Sequence, residues 1–150
     1  MVLSTHRVLF LIKPDPSLLN DSYEAISYLL KQNMDIIVEP YLYTHLQSKS
    51  ELQSYFSVDL NAASTAATPC SKIIQFDYDA HDMDVVITFG GDGLLLHCST
   101  LFNGKSMPPV MCFDFGSLGF LTPFYFENFA DEVGQQILGF YEIIRTLFRE

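Results

Sequence analysis

The sequence predicts an α/β domain, a mostly parallel sheet with helices on both faces. Three observations point there. Uniformly apolar runs such as Val8, Leu9, Phe10, Leu11 and Ile12 fit strands covered on both sides rather than half-exposed ones. Segments of helical period separate these runs, and strands alternating with helices build parallel sheets. The 150 residues, 49% apolar with 13 Phe and 8 Tyr, suffice for one core and fall short of two ordinary domains.

The first strand is expected over 7–13 and must end there, because Pro14 and Pro16 cannot donate to a sheet ladder. A helix follows, capped by Asn20 or Asp21 with Glu24 three residues beyond Asp21. Tyr23, Ile26, Leu29 and Leu30 share one of its faces, and it should end near Gln32 and Asn33. Residues 34–39 read as a second strand stopped by Pro40, which completes a βαβ unit with a right-handed crossover. Between Tyr41 and Ser71 the pattern weakens to a polar helix over 46–56 and a small-residue stretch over 61–68, together a variable or mobile insertion. Asp77, Asp79, Asp82 and Asp84 fit a solvated acidic loop better than a metal site.

A further buried strand, 84–89, runs straight into Gly90, Gly91, Asp92 and Gly93. Residues 94–102 hold no breaker and should form a helix ending near Asn103 and Gly104. Pro108 and Pro109 restart the chain into a strand over 110–114, and a second glycine turn follows at Gly116, Ser117, Leu118 and Gly119. A last helix is expected over 127–140, weakened by Gly134 and Gly139.

Eighteen acidic against eight basic residues give a net charge of −10, which repels polyanions and argues against a nucleic-acid groove or an anionic membrane surface. No apolar run approaches the ~20 residues that span a bilayer, and the first strand is too short for a signal-peptide core, so a cytoplasmic protein is expected. Cys70, Cys98 and Cys112 are odd in number and hold no CxxC pair, which signals neither a disulfide framework nor zinc; Cys98 and Cys112 fit small core residues. Asn20, Asp21 and Ser22 match a glycosylation acceptor without a secretory context. His97 fits a packed or capping role, with the mouth of a pocket within its reach, and His6, His45 and His81 have no ligand-like neighbours.

Gly90, Gly91, Asp92 and Gly93 lie where a strand gives way to a helix, at the edge where parallel sheets present ligand crevices. Glycines there let the backbone approach a ligand closely, and amides at a helix start favour phosphate oxygens. A carboxylate in such a cradle repels bare phosphate, so Asp92 makes chemical sense against a hydroxyl needing deprotonation or a metal. The plainer reading is a tight turn with a helix-capping Asp. The second glycine turn, again after a buried strand, would bring two such turns to one sheet edge, as pockets do.

Residues 85–93, then Pro108, Pro109 and Val110, then Gly116, Ser117, Leu118, Gly119, Phe120, Leu121, Thr122, Pro123 and Phe124, closely resemble the NAD kinases. The Gly-Gly-Asp-Gly motif alone is shared with phosphofructokinases and with lipid kinases of the diacylglycerol and sphingosine type; the Gly-Phe-Leu-Thr block is what points to the NAD kinases. The whole chain fits that family's Rossmann-like N-terminal domain. The resemblance implies transfer of the ATP γ-phosphate to the 2′-hydroxyl of the adenosine ribose of NAD, giving NADP, with Mg2+ offsetting phosphate charge. It implies that Asp92 engages and deprotonates that hydroxyl. Gly90, Gly91 and Gly93, with Leu96, would shape the phosphate side, while Gly116, Gly119, Phe120 and Leu121 line the NAD side, Phe120 and Leu121 against adenine.

Two positions depart from the family pattern. Leu94 stands where Thr or Ser is usual, and Asp114 where many relatives carry Asn or His. The family's second, β-rich domain is expected to lie outside residues 1–150 or to come from a partner chain, and the aromatic-dense stretch from Phe113 to Phe129 implies a homo-oligomer in the intact protein. The alternatives are a catalytically silent nucleotide-binding or assembly domain and a lipid kinase domain. The second is disfavoured because no basic or amphipathic membrane-facing stretch exists.

Overall fold

The computed structural model describes residues 6–56, 71–77, 83–103, 105–114 and 124–125. Six strands form one sheet: β1 (His6–Ile12), β2 (Met34–Val38), β3 (Ile73–Gln75), β4 (Val85–Phe89), β5 (Val110–Asp114) and β6 (Phe124–Tyr125). Their spatial order is β3-β2-β1-β4-β5-β6, and every neighbouring pair is parallel. The helices are α1 (Leu19–Lys31), α2 (Pro40–Gln47), α3 (Gln53–Phe56) and α4 (Asp92–Leu101).

The run of apolar residues in β1 serves two cores at once, since successive side chains of a strand point to opposite faces. Val8, Phe10 and Ile12 join Ile26 and Leu29 of α1 and Leu42 and Leu46 of α2 in one cluster. Leu9 and Leu11 turn the other way, with Val86, to meet Leu94, Cys98 and Leu101 of α4. Helices therefore cover both faces, as the pattern predicts. In register, Ile12 stands opposite Phe89, so β1 and β4 end side by side. The Phe89 ring meets Phe10 edge-on at 4.6 Å and Phe113 at 5.7 Å, and aromatic edges so placed add to plain burial.

Several local expectations change. Asn20 and Asp21 do not cap α1: the helix starts at Leu19, its N-cap Leu18 offers no side-chain bond, and both residues fall inside the first turn. A 3-10 turn at Pro16–Leu18 feeds the helix instead, capped by Asp15, whose carboxylate accepts the Ser17 amide at 3.0 Å. That bond and the Ser17 hydroxyl hold the Asp15 carboxyl below its ordinary pKa. In the Asn20-Asp21-Ser22 match Asn20 is exposed, while Ser22 is fully buried and its hydroxyl donates to the Leu18 carbonyl at 2.7 Å. Asn33 ends the connection from α1 to β2 with a φ of 63°, the left-handed conformation that Asn tolerates better than most residues.

The expected helix over 46–56 resolves into three pieces. Pro40, which closes the second strand, also opens α2 at its first turn, where its missing N–H costs nothing. A 3-10 turn at Ser50–Leu52 and the short α3 follow. β3 was not anticipated. Only three residues long, it is fixed from β2, where the buried Asp35 carboxylate accepts the Lys72 amide at 3.0 Å. The acidic segment behaves as a solvated loop where it is described: Asp77 and Asp84 are exposed, and Asp84 accepts the Arg7 amide at 2.8 Å. Cys98 and Cys112 are free, buried core residues. The insertion over 61–68, Cys70 and the last helix over 127–140 lie outside the described residues.

Candidate functional site

The strand order fixes where a ligand can enter. From β1 the chain moves outward through β2 and β3, then returns across β1 to lay down β4 and move outward the other way. Connections leave the carboxyl ends of β1 and β4 in opposite directions and open a crevice between them. The glycine turn is the β4 side of that crevice. It is pinned from both neighbours: the Lys13 amide donates to the Phe89 carbonyl at 3.1 Å, and the Gly90 amide donates to the Phe113 carbonyl at 3.0 Å.

Each glycine does something different. A Cβ at Gly90 would stand 3.0 Å from Leu94 Cδ2 and 3.3 Å from Leu94 Cβ, so Gly90 is required by close packing. At Gly91 and Gly93 a Cβ would meet nothing within 4 Å. Those two line a cavity of about 480 Å³, within the range of small-molecule sites, and their missing side chains keep its wall open. Gly91 is the N-cap of α4, and the helix receives no side-chain cap there. The Leu94 and Leu95 amides donate back to the Gly91 carbonyl at 3.1 and 3.4 Å, and the start of the helix turns its positive end to the cavity.

The opposite wall is apolar, formed by Phe10 and Ile12 of β1 with Tyr41 and Leu42 of α2. Lys13, Glu39 and His97 bring charged or ionisable side chains to the lining, with Pro14 and Leu94 beside them. His97 Nε2 lies 3.1 Å from both carboxylate oxygens of Glu39, joining α4 to the head of α2, with the two side chains 45% and 21% exposed. His97 thus reaches the pocket mouth rather than packing away or capping the helix.

Asp92 is the first residue of α4, half-buried, and does not line this cavity. Its charge falls on Cys112 in β5 instead. Burial pushes the Cys112 thiol up, and the Asp92 carboxylate raises it further. The turn therefore separates two sides, with Gly91 and Gly93 facing the β1 and β2 side and Asp92 near β5. Cys98, one residue beyond His97, is pushed up to about 11 by burial, with Cys112 and Glu39 adding to the rise.

Of the other residues singled out in the sequence, Leu96 is 61% exposed and outside the cavity lining; Leu94 and His97, on either side of it, line the cavity instead. Gly116, Gly119, Phe120 and Leu121 lie outside the described residues. Lys13, Glu39 and Tyr41 were missed. The signal for the first two was present, since each directly follows a strand that the sequence discloses, and strand carboxyl ends are where such sheets bind. Among the described residues, no group of three or more His, Cys, Asp or Glu side chains is placed to hold a metal ion.

The model of the ATP-NAD kinase N-terminal domain matches residues 8–139. The chain belongs to this family. It is 35% identical over 137 residues to NAD kinase 2, chloroplastic, of Arabidopsis thaliana, covering 88% of this chain and 12% of that protein. It is 51% identical over 113 residues to an ATP-NADH kinase of Saccharomyces cerevisiae, covering 72% of this chain and 21% of that one. The crystal structure of yeast NADH kinase complexed with NADH superposes with a TM-score of 0.67 at 26% identity, over 90% of this chain and 38% of that one. The chain thus spans a minor part of the length of these kinase relatives. Within the family motif, Leu94 at the usual Thr or Ser position has a structural reason: it is buried, packs on Gly90 and joins the core beneath α4.

Proposed function

We propose that this chain carries the nucleotide-binding and catalytic glycine turn of an NAD kinase, which transfers the γ-phosphate of ATP to the 2′-hydroxyl of the adenosine ribose of NAD. The observation that carries the reading is the two-sidedness of the turn: a cavity with helix amides and Lys13 on one side, and the Asp92 carboxylate on the other. Phosphates enter the cavity, where the first turn of α4 and the Lys13 ammonium offset their charge. The acceptor hydroxyl approaches from the β5 side. Asp92 takes its proton as the new O–P bond forms and the bond from the γ-phosphorus to the bridging oxygen breaks, leaving ADP. No covalent enzyme intermediate is needed, so the catalysis is positioning and charge compensation.

The described residues do not build a cage for Mg2+, which would reach the site on the nucleotide's own phosphates. NAD recognition is assigned to Gly116, Gly119, Phe120 and Leu121 on the motif resemblance, supported by the NADH-bound state named for the yeast neighbour. A second, β-rich domain outside residues 1–150 completes the acceptor side, and the intact protein is a homo-oligomer. A cytoplasmic location is part of this reading, supported by two free thiols in the core; the Arabidopsis relative is named as chloroplastic, so a fluorescent fusion decides the compartment. Among the described residues, no helix is long and apolar enough to cross a membrane.

The test is NADP formation by the protein that joins this chain to its β-rich domain, supplied with NAD, ATP and Mg2+, beside Asp92→Asn. The reading predicts NADP from the parent and a loss of at least ~100-fold in the variant, the usual scale for removing a general base. ATP binding without NADP would overturn the catalytic reading in favour of a silent nucleotide-binding domain.

A further inference from the structure

Glu39 has no role in phosphate binding, because its carboxylate repels oxyanions, yet it lines the cavity that phosphates are proposed to enter. Topology puts it there. It follows Val38, the last residue of β2, and precedes Pro40, which opens α2, so it sits at the carboxyl end of the strand beside β1. In doubly wound sheets a carboxylate at this end of the second strand suits ribose hydroxyls, which donate what a carboxylate accepts. His97 contacts both of its oxygens at 3.1 Å from α4, which fixes the orientation of the carboxylate while leaving lone pairs for further donors.

We propose that Glu39 reads the ribose hydroxyls of the nucleotide in this cavity, with His97 as the positioning residue that aims its carboxylate. The inference rests on the functional reading above and adds the orientation and sugar selectivity of the donor. The phosphates lie toward Gly91, Gly93 and Lys13. The base lies against Tyr41 and Leu42, and the sugar turns its hydroxyls to the rim where Glu39 stands. An analogue that lacks the hydroxyl forfeits a hydrogen bond to a charged acceptor and binds less tightly. A 2′-phosphate at the same place is repelled. The cavity accordingly selects ribonucleotides with an unmodified sugar.

The test compares ATP, 2′-deoxy-ATP and 3′-deoxy-ATP binding to the 150-residue chain by calorimetry. The parent should bind ATP at least ~10-fold more tightly than one of the two deoxy analogues, the scale of one hydrogen bond to a charged group. Glu39→Gln, which keeps the shape and replaces the charged acceptor by a neutral one, should lower that ratio several-fold. His97→Ala should lower the ratio without abolishing ATP binding, an effect on sugar selectivity that a purely structural role for the histidine would not produce. Equal affinity of the parent for all three nucleotides, or an undiminished ratio in Glu39→Gln, overturns the assignment of Glu39 and leaves the kinase reading standing. Failure of the parent to bind ATP overturns both.

Discussion

At the residue scale the glycines of the turn separate packing from binding. Gly90→Ala places a methyl within 3.0 Å of Leu94 Cδ2 and 3.5 Å of Lys13 Cβ. It should lower unfolding stability by about 1–3 kcal/mol, the cost of overpacking a filled site. Gly93→Ala meets open space and removes a glycine from α4. Its stability should hold or rise by up to ~1 kcal/mol, while ATP affinity falls because the methyl enters the cavity. Urea unfolding and nucleotide titration of the two variants check the pair, and the opposite ranking would mean that the turn is only a turn. Cys98 supplies a pH prediction. Its folded pKa, about 11, lies above the ordinary thiol value of 9.0, so its contribution to stability is complete below about pH 9 and is lost as pH rises toward 11. Unfolding midpoints between those values should fall more steeply for the parent than for Cys98→Ala. Four-residue spelling made Asp92 and its glycines legible in the sequence. Glu39 and Lys13 stand at the ends of readable strands, but no motif joins them, because their proximity is created by the order of the strands.

At the element scale, α4 links the site to the core. Leu94, Cys98 and Leu101 recur at helical spacing and bury one face against Leu9, Leu11 and Val86, while Gly91 opens its first turn to the cavity. Restoring the family's usual residue with Leu94→Thr would remove apolar burial and place a hydroxyl in that core. A loss of about 1–3 kcal/mol is expected, read by chemical denaturation. An unchanged midpoint would show that Leu94 is not the reason this helix start holds. β1, β2, β4, β5 and α1 could be read from apolar runs and helical period. β3 could not, because three residues give no period and its pairing depends on Asp35, 37 residues away from Lys72. The early start of α2 was hidden by reading Pro40 only as the end of a strand, when proline is equally suited to the first turn of a helix.

At the scale of the whole molecule, the all-parallel order β3-β2-β1-β4-β5-β6 puts the crevice between β1 and β4, and the rest of the account follows from that placement. On the proposed reading the acceptor side lies toward β5, the strand after which the sequence carries Gly116 and Gly119. Exposed Leu96 and Met107, at 61% and 43%, stand on the described surface, and the sequence from Phe113 to Phe129 is dense in aromatic residues. Self-association is therefore expected. Sedimentation at high concentration should show species larger than a monomer, and a clean monomer would remove the oligomer from the account. The most direct test of the central claim, that nucleotide phosphates sit on the helix start at the β1/β4 crevice, is amide-resolved NMR of the chain titrated with ATP. The account predicts the largest shifts at Gly91, Gly93 and Lys13, with smaller ones at Glu39 and His97. Shifts confined to other parts of the sheet, or no shifts at saturating ATP, would contradict it.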